Sequence, residues 1–589
     1  MALIDKASLL MVPSTYEAGK LYNVLPSGNR APDNKGGAGY DQTRADFDFD
    51  RGSNAAATRI NSSGLIEKYR ENLLTESNNF SDSDWNKNAG GSFTSGQEGY
   101  NGTNDAWQFN VTTASNSGAW QNITFSGVAT FSAYFKKGTL DKIGFTNYAG
   151  SGYECWFDLT NGTIGQQTGD LIDAKIEAIG TNGWYRCSIT DVGSGANYFQ
   201  LKPSNAYSGT STAGHIFIQS AQVESSLVAT DYLNSTSVTA KVGVLIDLPR
   251  INYDANGENG ALLLESSRAN LVPYSEYFGA SNWLKANASI VNNAVISPEG
   301  LQNAAKLVED SSNSTHYIRT GFLSSTDGST LTTSLFVKAG ERSQITLIEN
   351  AYNSHYVTAD LVTQSVTTNG IDADIEPLKN GWFRIYITDI ARPASRWQIR
   401  LVKDGSSTYQ GDGTSGLYIY GFQFENNASY VSSYIPNHGT SGGVTRAADS
   451  CSVTGASDVI GQTEGTMFVE AETLENGADC RITISDNTIN NRVSIEWDIL
   501  ANTLKGFIGT AGNLATSNYN QTNRNKIAIV YNSADARFFI NGTKVSTDTT
   551  ISILSGMNRV DFSNYGGALP FVGKVYKMYM SEEKLTDAE

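Results

Sequence analysis

The sequence predicts an all-β protein: tandem jelly-roll or β-sandwich domains behind an extended N-terminal segment. Three observations predict it: a repeat of domain length, short alternating apolar runs cut by Gly, Asn, Ser and Asp clusters, and almost no helical periodicity. Asn72, Leu73, Ser77, Phe80, Trp85 and Lys87 recur 198 residues later as Asn270, Leu271, Ser275, Phe278, Trp283 and Lys285. Asn182–Arg186 recurs at the same spacing as Asn380–Arg384, whereas Ser132–Gly138 matches Ser334–Gly340 at 202. Solenoid periods run from about 20 to 50 residues, so this repeat is a duplicated domain. The change in spacing reads as insertions in surface loops between shared core elements.

The elements follow in chain order. Residues 1–71 are rich in Gly, Asn and Asp between Pro26 and Gln42 and lack apolar periodicity for a core of their own. They are expected to dock on a larger particle or on sister chains. Residues 72–233 form the first jelly roll. Thr130–Phe135 alternates and stops at Lys136-Lys137-Gly138, and Trp184–Ile189 alternates after an Asn182-Gly183 turn. Phe217, Gln219, Ala221 and Val223 are expected on one strand face, opposite Ile216, Ile218 and Gln222. Residues 234–269 read as a linker, 270–436 as the second jelly roll, and a short helix is expected near residues 266–277. Residues 437–589 read as another antiparallel sandwich, with strands near 467–471, 480–485, 492–497, 526–531, 537–540 and 571–579.

Composition excludes several classes. At 589 residues the chain is too long for one core. Its 39% hydrophobic and 11% aromatic content exceeds that of disordered chains. A formal net charge of −17 argues against nucleic acid and anionic membrane partners. No apolar run approaches the roughly 20 residues of a membrane span. The opening MALIDKASLLMVPS has too short an apolar stretch for a secretory signal. Four cysteines make no disulfide scaffold in a chain this long. Cys155 and Cys187 match Val357 and Ile385 of the sister copy and so read as buried hydrophobes. Whether Cys451 and Cys480 pair stays open.

Catalytic patterns are weak, and no catalytic residue, metal ligand, ligand-binding residue or cofactor is assigned. Glu470, Glu472 and Glu475 imitate the carboxylate spacing of sandwich-fold glucanases, and Glu496 with Asp498 supplies two acids of three. A glycosidase needs two carboxylates facing one cleft, about 5–9.5 Å apart. Both sets read instead as solvated strand edges. His215, His316, His355 and His438 are scattered. Asp254, Asn256, Glu258 and Glu265 match calcium-loop positions 1, 3, 5 and 12, but Asn259 stands where the sharp turn needs Gly. Asp46, Asp48 and Asp50 read as a solvated face. Gly573-Lys574 lacks the rest of a phosphate loop. The paired aromatics Trp85/Trp283, Trp184/Trp382 and Phe199/Trp397 read as core, and the unpaired Tyr153 and Trp156 as poorer core candidates.

The stretch Asn525–Val545 resembles the laminin-G and concanavalin A-like sandwich superfamily. The whole chain resembles bacteriophage head-fibre or tail-fibre proteins. That resemblance rests on Asp46–Ser53 with Thr58–Glu67, on Pro249–Tyr253, on Leu262–Glu265 with Asn270-Leu271, and on Tyr434-Ile435-Pro436 with Val444–Ala447. The first copy departs from it, with Tyr232-Leu233-Asn234 where Tyr-Ile-Pro is usual. Relatives also run on beyond Leu585–Glu589. The resemblance implies a non-enzymatic virion appendage, homotrimeric, held to capsid or tail protein by its N-terminal segment and attaching reversibly to host-surface glycans. The alternatives are a polysaccharide depolymerase and a capsid decoration without a receptor.

Overall fold

The computed structural model describes residues 6–15, 47–53, 56–88, 90–112, 118–147, 153–169, 171–208, 212–349, 355–392, 395–457, 459–510, 512–516, 518–551 and 554–589. Among them the regular structure is β-strand, with two short 3-10 turns and no α-helix. The helix expected near 266–277 is absent. A strand, Arg268–Asn270, pairs there with Val444–Arg446, and turns follow.

The first jelly roll is built on two long strands, Ala119–Lys137 and Trp184–Ser204, antiparallel along almost their whole length and shared by both layers. One half of the pair carries Lys142–Asn147, Tyr153–Asp158 and Thr163–Thr168 on one side and Asn86–Lys87 on the other. The other half carries Gly214–Glu224, Ala106–Val111 and Ser92–Gln97, with Asp173–Ile179 on the far side. In the second jelly roll the same two strands are interrupted. Tyr317–Arg319 precedes Thr330–Lys338, Trp382–Ile390 precedes Trp397–Val402, and the layers part into two six-stranded sheets. Strand order is otherwise the same in both copies. The first interruption lies inside the segment where the copy spacing rises from 198 to 202.

The residues that reveal the repeat are those that close each sandwich. Asn72 Nδ2 donates to the carbonyls of Ala221 and Leu233 at 3.1 and 2.9 Å. Asn270 Nδ2 does the same with Phe422 and Ile435, again at 3.1 and 2.9 Å. Ser77 bonds Tyr232 at 2.6 Å, and Ser275 bonds Tyr434 at 2.7 Å. The departure at Tyr232-Leu233-Asn234 therefore leaves this closure intact. Trp85 and Trp283 each donate their indole N–H to a carbonyl nine residues upstream. A buried polar group costs about 1–3 kcal/mol when unpaired, so such positions admit few alternatives.

Each copy has its own core, drawn from residues 74–223 and 272–424. Trp184 and Trp382 are buried as expected, at 1% and 0% exposure, but in small clusters outside these two cores, Trp184 with Ala106 and Tyr134 and Trp382 with Ile66, Phe336 and Tyr434. One expectation is corrected. Ala221 and Val223 are fully buried beside Ile216 and Ile218, while Phe217 turns outward. A β-bulge between Gln219 and Gln222 inserts a residue and reverses the alternation. The two copies touch where the Val128 N–H donates to the His438 carbonyl at 2.7 Å. A Cβ on Gly127 would stand 2.0 Å from that oxygen, and φ there is +90°, so only glycine fits.

The C-terminal sandwich is not built from residues 437–589 alone. Leu9–Met11 and Ala261–Leu264 both pair with Gly573–Ser581 in its eight-stranded sheet. Asp48–Asp50 pairs with Ser450–Thr454 at the edge of its seven-stranded sheet. Leu9, Met11, Phe47, Phe49, Ile251, Leu262 and Leu264 all enter its core. The segment expected to dock elsewhere thus places its described strands on its own chain, because two sheet edges with an apolar interior beneath them are complemented in cis. The hairpin expected around 526–540 forms, with Ile527 opposite Ile540.

Candidate functional site

The sheet face of the first jelly roll that points away from its core departs from its counterpart in the second copy. Ile143, Phe145, Cys155, Phe157, Phe199 and Leu201 point into the core. Strand alternation therefore turns Lys142, Gly144, Thr146, Glu154, Trp156, Asp158, Gln200 and Lys202 outward. Gly144 lies opposite Trp156, and the indole ring crosses it: a Cβ on Gly144 would stand 2.9 Å from three ring carbons. Tyr207 packs onto Gly165 in the same way and is 38% exposed.

Charge on this face is locked in pairs. Lys142 Nζ lies 3.0 Å from Asp141 and 3.1 Å from Asp158, and Lys202 Nζ lies 3.1 Å from Glu154. Asp158 also accepts the Tyr207 hydroxyl at 3.3 Å and the amides of Thr160 and Asn161 at 2.8 and 3.0 Å. Burial works to raise its pKa, but the amide donors and Lys142 hold it well below the usual carboxylate range. Among the described residues two buried polar atoms on the face, Trp156 Nε1 and Thr146 Oγ1, have no hydrogen-bond partner.

In the second copy Thr346 and Thr358 stand opposite each other where the first has Gly144 and Trp156, and their hydroxyls bond at 2.8 Å. That face satisfies itself. The sequence sets Trp156 apart as a poor core candidate, and the side chain does lie outside the core of its copy, though it is buried at 1% exposure. Its lack of a sister tryptophan was nevertheless the one local signal of this face. The side chain of Tyr153 lies outside the described residues.

The other candidates resolve into structural roles. Glu470 pairs with Arg524 at 2.8 Å, Glu472 with Lys574 at 3.0 Å, and Glu475 bonds Ser429. Glu496 lies 3.1 Å from Arg481, and Asp498 pairs with Lys505. Glu470 and Glu496 are buried on interior strands, which corrects their reading as solvated edges; each is matched by arginine because a buried charge must be. Lys574 of the Gly573-Lys574 pair is the partner of Glu472. Asp254 caps its own loop through the amides of Asn256 and Glu258, while Glu265 faces arginines elsewhere. Asp48 and Asp50 are exposed, and Asp46 lies outside the described residues.

His316 bridges the carbonyls of Asn287 and Tyr409, and His355 pairs with Asp389 at 2.9 Å. His215 lies near Thr139, and burial lowers the pKa of His438. All four cysteines are free and buried, so Cys451 and Cys480 do not pair. Among the described residues no three metal-ligating side chains converge.

A cavity of about 580 Å³ lies between the two jelly rolls and the hairpin of Thr58–Ile60 and Ile66–Lys68. Beside it Lys68 Nζ bridges Glu276 at 2.7 Å and Glu299 at 2.6 Å.

The topology defines a multidomain β-sandwich protein with two jelly rolls of one design. No protein-family model and no curated protein matches the chain in sequence. Solved structures similar to parts of it include the CBM40 of the Ruminococcus gnavus IT-sialidase bound to alpha2,3 sialyllactose. That match has 16% identity and a TM-score of 0.19, and covers 22% of this chain and 80% of that one. The CBM22-1-CBM22-2 tandem domain of Paenibacillus barcinonensis Xyn10C matches with 13% identity and a TM-score of 0.22, covering 64% and 99%. Domains LG4-5 of the mouse laminin alpha1 chain match with 11% identity and a TM-score of 0.17, covering 46% and 88%. At such scores these likenesses carry no argument, and the fold class rests on the strand topology itself.

Proposed function

We propose that this protein is a non-enzymatic fibre of a tailed phage, displayed on the virion surface as a head or tail appendage, that attaches reversibly to a host-surface glycan. The observation that carries glycan binding is the contrast between the two sister faces. The first copy leaves an indole N–H and a threonine hydroxyl unpaired beside a half-exposed tyrosine, where the second copy closes a Thr–Thr bond. Both atoms lie beneath the surface, and Tyr207 supplies the exposed contact, offering its ring to a sugar face. The fibre assignment draws its support from the sequence strings around Arg51, Arg250, Glu265 and Arg446. A homotrimer held to capsid or tail protein would present three such faces, and avidity adds about 10²–10⁴ to weak single-site binding.

Binding of the purified chain to a panel of bacterial surface glycans tests the reading, with Tyr207→Ala as the control. Loss of binding in the variant at unchanged melting temperature supports it, and no binding by the parent removes it. New reducing ends after incubation with host polysaccharide would make the protein a depolymerase instead. Electron microscopy of antibody-labelled particles tests the virion location, and unlabelled particles would overturn it.

A further inference from the structure

We infer that the glycan bound by the first jelly roll is neutral, carrying neither carboxylate nor sulfate. The inference rests on the glycan reading above and names its ligand class. Both ammonium groups on the face are already neutralised: Lys142 by Asp141 and Asp158, and Lys202 by Glu154. The side chains of Lys142 and Lys202 are only 12% and 4% exposed, so neither is presented to an incoming anion.

Two ammoniums against the three carboxylates of Asp141, Glu154 and Asp158 leave this patch at −1. An acidic sugar would either meet that charge or have to pull Lys202 from the part-exposed Glu154 or Lys142 from the buried Asp158. Breaking a buried pair strands the remaining charge, which is among the costliest changes a site can undergo. A neutral sugar meets neither obstacle. Its apolar ring face can pack on the 38%-exposed Tyr207 with no exchange of charge. The second copy differs here too: Gln344 and Tyr356 stand where Lys142 and Glu154 do, so the locked pairs belong to the first face alone.

The test is the full chain applied to matched neutral, sialylated, uronate-containing and sulfated oligosaccharides at low and high salt. Neutral glycans should bind with an affinity that salt leaves unchanged, since no charge is exchanged. Tyr207→Ala should weaken that binding about tenfold. Glu154→Gln, which removes the carboxylate charge facing Lys202, should gain salt-sensitive binding to the acidic probes while melting as the parent does. A parent chain that prefers acidic glycans, or a Glu154→Gln variant that folds and gains no acidic ligand, overturns the inference and leaves the glycan reading standing. Silence of the parent across all four classes removes the glycan reading itself.

Discussion

Trp184 and Trp382 occupy equivalent buried positions, yet their indole nitrogens differ. Trp382 Nε1 donates to the Ile296 carbonyl at 3.0 Å, while Trp184 Nε1 has no partner among the described residues. Truncation of either to Ala should cost about 3–5 kcal/mol, with Trp382→Ala the costlier because it also strands a carbonyl. Differential scanning calorimetry of both variants checks this, each against the transition of its own domain; unchanged melting would refute the core assignment. Glu265 is the other decisive residue. Burial would raise its pKa, but Arg446 and Arg250, at 2.9 and 2.8 Å, bring it down to about 2 from an ordinary 4.5. A depressed carboxylate stabilises the fold fully above its unfolded pKa and loses that contribution as pH falls through the folded one. The structure should therefore keep this pair at pH 4.5 and lose it on the way to about 2. Glu265→Gln should destabilise by about 3–5 kcal/mol at neutral pH and flatten the acid limb of stability against pH. Urea melts across that range measure both, and a variant with the parent's acid limb would exclude the role.

The strands that complete the C-terminal sandwich lie hundreds of residues from their partners. Leu9 pairs with Met580, Phe49 with Cys451 and Leu262 with Val575. Removing these strands would uncover two sheet edges and take Leu9, Met11, Phe49, Leu262 and Leu264 from one core. A fragment of residues 437–589 alone should therefore aggregate or bind a hydrophobic dye, whereas residues 72–236, whose core is self-contained, should melt cooperatively. A fragment 437–589 that melts as it does in the full chain would refute this dependence. At the same scale, Lys68 ties the N-terminal hairpin to the second jelly roll between Glu276 and Glu299, over the ring of Tyr420. Lys68→Met leaves two buried carboxylates facing each other. The hairpin should then exchange its amide hydrogens faster than in the parent, by mass spectrometry, and equal protection would count against the tie.

At the scale of the whole molecule, the N-terminal segment, the linker, the end of the second jelly roll and the C-terminal sandwich meet at a buried ion network. Arg51 from the N-terminal segment, Arg250 and Glu265 from the linker, and Arg446 and Asp449 at the entry to the C-terminal sandwich are all within ion-pair reach. Ser433, at the end of the second jelly roll, donates its amide to Glu265 at 2.8 Å. These residues lie in or beside the strings that carry the fibre resemblance, so those strings mark a junction and not a ligand site. Light scattering of the full chain should give three times its 63.4 kDa mass if the proposed trimer forms, and a monomeric mass would remove it. The sequence by itself determined the all-β class, the duplication and the burial of Trp85, Trp184, Trp283 and Trp382. Each of these is written in local alternation and in spacing along the chain. Only the tertiary structure decided that residues 9–11, 48–50 and 261–264 belong to the last domain, that a bulge returns Ala221 and Val223 to the core, and that Trp156 lies across Gly144 on an unsatisfied face. The physical reason is that alternation states that a strand has an apolar side, whereas the edge it joins, and the partner its outward side chain meets, depend on chain segments that only folding brings together.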